Sequence, residues 1–117
     1  MSTPAAHRVL RVFYRDYDNA VSIASSQPES LLASRIVPLA ERLLVKEDNF
    51  LGVVDRNDVI LQCYVADEPG ALTLELVHPE ANGCLRLTLP RDEALQCLDG
   101  LPELFDDSLL PGAQYID

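Results

Sequence analysis

Residues 50–89 read FLGVVDRNDVILQCYVADEPGALTLELVHPEANGCLRLTL. Four apolar segments stand out in this stretch: FLGVVD (50–55), VILQCYV (59–65), ALTLELV (71–77) and CLRLTL (84–89). Turn signals separate them at Arg56-Asn57-Asp58, at Asp67-Glu68-Pro69-Gly70 and from His78 to Gly83. Leu, Val and Ile alternate with other residues along most of each segment, the period of a half-buried strand. The alternation sets Leu61, Cys63 and Val65 on one face with Leu72, Leu74, Leu76, Leu85, Leu87 and Leu89. Gln62, Tyr64, Thr73, Glu75, Cys84, Arg86 and Thr88 fall on the other. An aliphatic face needs a cover of helices, and a mixed face can meet water or a partner.

Working outward, the flanks read as helical. Thr3-Pro4 is a helix start, a hydroxyl cap followed by proline at the first helical position. From Ala6 to Ala24, apolar residues recur at three- and four-residue spacing, predicting an amphipathic helix to about Ser25. A strand over HRVLRVFY fits locally, but the helical pattern runs on past it. Arg8, Arg11 and Arg15 form a basic stripe on this segment, which most simply is a solvated face. Ser25-Ser26-Gln27-Pro28 then breaks one helix and caps the next. Leu32, Ile36, Leu39, Ala40, Leu43 and Leu44 give a second apolar stripe, with Pro38 predicting a kink or two short helices. After the strands, Pro90 opens a third helix with Asp92 and Glu93 in its first turn and Gly100 at its end. The tail from Asp106 to Asp117 reads as irregular. The expected fold is therefore a single α+β domain over residues 1–117: N-terminal helices, a four-stranded, largely antiparallel sheet and a C-terminal helix, with helices on one sheet face.

The chain holds 117 residues, 48% hydrophobic and 24% charged, enough to bury a core without disulfides or metals. No apolar run approaches the roughly 20 residues that cross a bilayer. The N-terminus lacks the layout of a secretory signal, so a cytoplasmic protein is expected. Of the net charge of −10, residues 1–60 carry −1 (8 acids, 7 bases) and residues 61–117 carry −9 (11 acids, 2 bases). Such a half repels phosphate backbones, which excludes nucleic acid as the expected partner. It favours a basic partner, while also serving solubility.

Catalytic signatures are missing: there is no G-x-G-x-x-G, P-loop, H-E-x-x-H or G-x-S-x-G. Cys63, Cys84 and Cys97 have no C-x-x-C spacing, and a zinc site with His78 matches no familiar layout. A Cys84 nucleophile with His78 as base rests on proximity along the chain alone. No cofactor is implied. Glu75 and Arg86 suit a cross-strand ion pair on the mixed face. Tyr64 and Gln62 add contact area and directional hydrogen bonds, as interface anchors do. Asp55 and Asp58 at one turn, with Asp67 and Glu68 at another, would rim the surface. The candidate partner-binding set is thus Asp55, Asp58, Gln62, Tyr64, Asp67, Glu68, Glu75 and Arg86. A second candidate interface is the acidic third helix and tail, with Asp92, Glu93, Asp99, Glu103, Asp106 and Asp107.

The run Leu61-Gln62-Cys63-Tyr64-Val65, then Leu74-Glu75-Leu76, Gly83-Cys84-Leu85-Arg86 and the helix from Pro90 resembles small immunity proteins of bacterial polymorphic toxin and contact-dependent secretion systems. Those often combine a strand with an L-Q-x-aromatic core, a second strand with a central Glu and a terminal helix. Gln62, Tyr64 and Glu75 match that pattern; Cys63 and the basic-striped N-terminal segment do not place the chain in any one family. The resemblance implies a cytoplasmic, non-enzymatic inhibitor that covers the active site of one cognate toxin domain; the acidic and aromatic side chains of this chain add the expectation that this site is basic or cation-lined. An alternative is an acidic secretion chaperone resembling the type III class, usually dimeric, which raises a homodimer here. A small enzyme or ligand-binding domain using the mixed face as a pocket is the third reading. It would show convergent His, Cys or Arg groups with perturbed pKa values.

Overall fold

A computed structural model describes residues 8–117. Strands β4 (Phe50–Val54), β5 (Ile60–Val65), β6 (Ala71–Val77) and β7 (Cys84–Pro90) form an antiparallel meander in the segments where alternation places them. Their register pairs Phe50 with Tyr64, Gln62 with Glu75 and Glu75 with Arg86. Two of the three connections turn through a left-handed residue. Asp58 takes φ 65° between β4 and β5, and Gly70 takes φ 76° between β5 and β6, where the left-handed region favours glycine.

The sheet does not stop at four strands, and the expected N-terminal helices are not what flanks it. Within the described residues the predicted first helix is a hairpin of β1 (Val9–Asp16) and β2 (Val21–Ile23); Thr3, Pro4 and Ala6 lie outside them. The run VLRVFYRD is rich in β-branched and aromatic residues, and Leu10 and Val12 are buried at alternate positions. The turn that ends β1 contains neither Gly nor Pro. The Asp16 side chain instead accepts the backbone N–H groups of Asp18 (3.1 Å) and Asn19 (3.3 Å), and Ala20 adopts φ 54°. Pro28 leads into β3 (Glu29–Leu32), which continues the edge that β2 begins: β2 pairs with the end of β1, β3 with its start. On its other side β1 pairs with β4. The irregular tail closes with β8 (Gln114–Ile116) against β7, giving an eight-stranded antiparallel sheet.

Two short helices remain, α1 (Ile36–Leu43) and α2 (Arg91–Cys97). Pro38 sits in the first turn of α1, where its missing N–H has no intrahelical acceptor, so the helix runs through it to Leu43; a short 3-10 helix, Ala33–Arg35, leads directly into α1. Ile36, Ala40, Leu43 and Ala94 are fully buried against Leu51, Leu61, Cys63, Leu74 and Leu76. Leu98, Leu101, Phe105 and Leu110 extend the same layer along the tail. Arg91 ties the two helices together, donating to the carbonyl of Leu44 and, at 2.9 Å, to that of Glu41 at the end of α1. The core therefore lies on one face of the sheet, and no described helix packs on the other.

Candidate functional site

The uncovered face is built in cross-strand rows. One row runs Phe13, Gly52, Gln62, Glu75, Arg86, Gln114; the next runs Ser22, Arg15, Phe50, Tyr64, Thr73, Thr88. Glu75 is the hub of the first. Its Oε1 accepts from Gln62 Nε2 at 2.7 Å, and its Oε2 from Tyr64 OH at 2.9 Å and Arg86 Nε at 2.7 Å. Arg86 Nη2 closes a second contact at 2.6 Å, a side-on guanidinium grip on one oxygen. The Glu75 side chain is only 7% exposed, against 42% for Arg86, so the expected surface ion pair is half buried.

That burial decides what Glu75 does. Desolvation pushes its carboxyl pKa up, but hydrogen bonds from Gln62, Arg86 and Tyr64 outweigh it and hold the group below the ordinary carboxylate value. The group stays ionised with both oxygens in use, an acceptor that orients three neighbours. Tyr64 feels the reverse: burial, then its bond to the Glu75 carboxylate, push the phenol up to about 12. It remains a neutral donor with its ring fixed.

Beside this network, the Phe13 ring lies over Gly52. A Cβ added at Gly52 would stand 2.1 Å from Phe13 Cζ, so only glycine leaves room for the ring. Phe50 meets Phe13 edge-on with centroids 6.3 Å apart. Thr73 and Thr88 share a hydrogen bond of 3.0 Å across β6 and β7. Arg15 stacks over Tyr17, 5.3 Å from its centroid, at the rim.

Tyr64 separates two shallow depressions. One, of about 410 Å³, is bordered by Glu47, Asp48, Phe50, Gln62 and Tyr64. The other, of about 240 Å³, is bordered by Tyr64, Asp67, Glu68, Thr73, Arg86 and Thr88. The structure thus brings Gln62, Tyr64, Glu75 and Arg86 together, with Asp67 and Glu68 at their edge. Compared with models of protein families, with curated proteins and with solved structures, the chain matches none of them.

The remaining predicted site residues lie elsewhere. Asp55 is 1% exposed, and its carboxylate accepts the N–H groups of Asn57 (2.8 Å), Val59 (2.9 Å) and Phe105 (2.7 Å). It organises the β4–β5 turn and pins the tail, and so leaves the surface set. Asp58, at the far end of β5 from Tyr64, is exposed and paired with Arg11 at 2.9 Å. The cysteines are free. Cys63 is buried with its thiol pushed up to about 12 by desolvation, while Cys84 lies beside Glu75 and Arg86, and burial raises it too. His78 bonds Asp107 at 3.2 Å. Among the described residues, no group of three or more His, Cys, Asp or Glu could hold a metal ion. Phe13, Phe50 and Gly52 do not stand out in the sequence, because Phe13 also fits a helical period and a glycine in a strand reads equally as a weakness. The signal was there in Gly52 within FLGVV, since such a glycine marks close approach of another group.

Proposed function

We propose that the chain is a cytoplasmic, non-enzymatic inhibitor of the immunity type, which uses the uncovered sheet face to cover the active site of a cognate bacterial toxin domain. The observation that carries this reading is the buried Glu75 carboxylate, which locks Tyr64, Gln62 and Arg86 into one arrangement before any partner arrives. A face ordered in advance loses less conformational freedom on association. Tyr and Arg side chains held this way are the residue types that dominate binding free energy. Glu75 serves here as a positioning residue; Tyr64, Gln62 and Arg86 make the contact. The resemblance in the Leu61–Val65 and Leu74–Leu76 segments supports the same reading.

The test is capture of the partner by the tagged chain in its own host, followed by assay of that partner's toxicity and of the complex's affinity. A globular toxin domain, silenced in a 1:1 complex that weakens about tenfold or more with Tyr64→Ala, is the expected result. Capture of an extended secreted segment by a dimer of this chain would instead establish a chaperone.

A further inference from the structure

The uncovered face narrows the partner further, on the footing of the inhibitor reading. We infer that the partner presents two basic side chains, one seated in each depression, astride Tyr64. Glu47 and Asp48 border the first depression, Asp67 and Glu68 the second. The ion pairs among the described residues are Arg11–Asp58, Lys46–Asp18, Arg56–Glu103, His78–Asp107 and Arg86–Glu75, and none engages these four acids. Between them stands a neutral aromatic ring whose hydroxyl is already committed to Glu75. A guanidinium or ammonium entering either depression meets carboxylates at the rim and the Tyr64 ring at its wall, both of which attract cations; Arg86 also borders the second, where its charge is offset by its pair with Glu75.

Charge also removes the obvious competitor, a second copy. A two-fold contact centred on Tyr64 sets the same patch against itself. Each acid pair would then face an acid pair, on a chain of net charge −10, and like charges brought together at an interface are strongly disfavoured. The depressions lie over β4–β5 and over β5–β7, about two strand spacings apart or roughly 10 Å. Two arginines on one side of an extended segment, two or four residues apart, span roughly 7–13 Å and match that separation.

The experiment uses the full chain, isotopically labelled, titrated with blocked peptides carrying two arginines at those spacings. Single-arginine peptides and peptides with Gln replacing Arg are the controls. Amide shifts grouped on Asp48–Phe50 and Tyr64–Glu68 are expected, with half-saturation moved up about tenfold by Glu47→Lys/Asp48→Lys or by Asp67→Lys/Glu68→Lys. Shifts spread equally over Asp92, Glu93, Asp106 and Asp107 would overturn the inference, as would equal binding of single-arginine peptides, no binding at millimolar concentration, or self-association through this face. A captured toxin domain that depends on Tyr64 but ignores all four charge reversals removes the paired-cation inference and leaves the inhibitor reading standing. Peptide binding as expected, beside a captured toxin indifferent to Tyr64, removes the inhibitor reading instead.

Discussion

Glu75 and Tyr64 give the face its rigidity, and both are open to direct test. Glu75→Ala leaves the Tyr64 hydroxyl, the Gln62 amide and the Arg86 guanidinium without their shared acceptor, and lost partners for half-buried donors cost about 2 kcal/mol in total. Urea unfolding should show this as a lower midpoint at unchanged slope. The pH dependence has a definite sign. A carboxyl held below its ordinary value of 4.5 contributes its full share of stability above that value, and loses it as pH falls through the lower folded value. Tyr64 acts at the other end. With its phenol raised from 10.0 to about 12, the folded state keeps a proton the unfolded state releases, so stability falls as pH climbs between those values. Ultraviolet titration should find one tyrosine ionising near pH 12, and Tyr64→Phe should remove it. At Gly52, an added methyl meets the Phe13 ring at 2.1 Å, so Gly52→Ala should cost about 1–3 kcal/mol by overpacking. Gly52→Ala with Phe13→Leu should recover part of that loss, which a calorimetric double-mutant cycle would reveal.

At the scale of elements, the β4–β5 turn depends on one carboxylate. Asp55→Ala strands three backbone N–H groups, on Asn57, Val59 and Phe105, and should destabilise the fold by about 2–4 kcal/mol. Proteolysis should then cut first beyond Phe105, where the tail has lost its anchor; unchanged cleavage would put the anchor elsewhere. The same scale explains what could be read in advance. Strands β4 to β7 were legible because Leu72, Leu74 and Leu76 alternate with Thr73 and Glu75, and because turns marked by Asn57-Asp58, by Pro69-Gly70 and by Pro79 to Gly83 separate the apolar segments. With them came the four residues around Glu75, since alternation alone puts Gln62, Tyr64, Glu75 and Arg86 on one face. The segment around β1 satisfied two periods at once. Leu10 and Phe13 are three apart, Leu10 and Val12 are two apart, and the turn that breaks the helical pattern is made by an aspartate side chain at Asp16. Its carboxyl, held below its ordinary value chiefly by the Asn19 side chain, caps a turn signalled only by Asp16, Asp18 and Asn19, without the Gly or Pro that marks a break more strongly. Sheet extension by β3 and β8 was hidden for a different reason. Three- and four-residue edge strands owe their form to the strand beside them rather than to their own propensity.

Over the whole molecule, an acid-rimmed face on a chain of net charge −10 should steer a basic partner through long-range attraction. Association of the captured partner should slow several-fold between about 50 and 500 mM salt while dissociation changes less, measured by stopped flow. Salt-independent association would mean that the partner approaches without using the charge. The order of pairing within the sheet carries a consequence for how the molecule opens. Within the meander from β4 to β7 each strand pairs with the next in sequence, whereas β1 reaches β4 across a helix and β8 is held to β7 by three residues. Contacts between near neighbours form early and cost little loop closure, so the meander is the natural folding nucleus. Backbone amide exchange should then run inward: β8, β2 and β3 first, β1 next, and β5 and β6 only with global unfolding. The face that carries Tyr64 would thus be the last surface of the molecule to lose its shape.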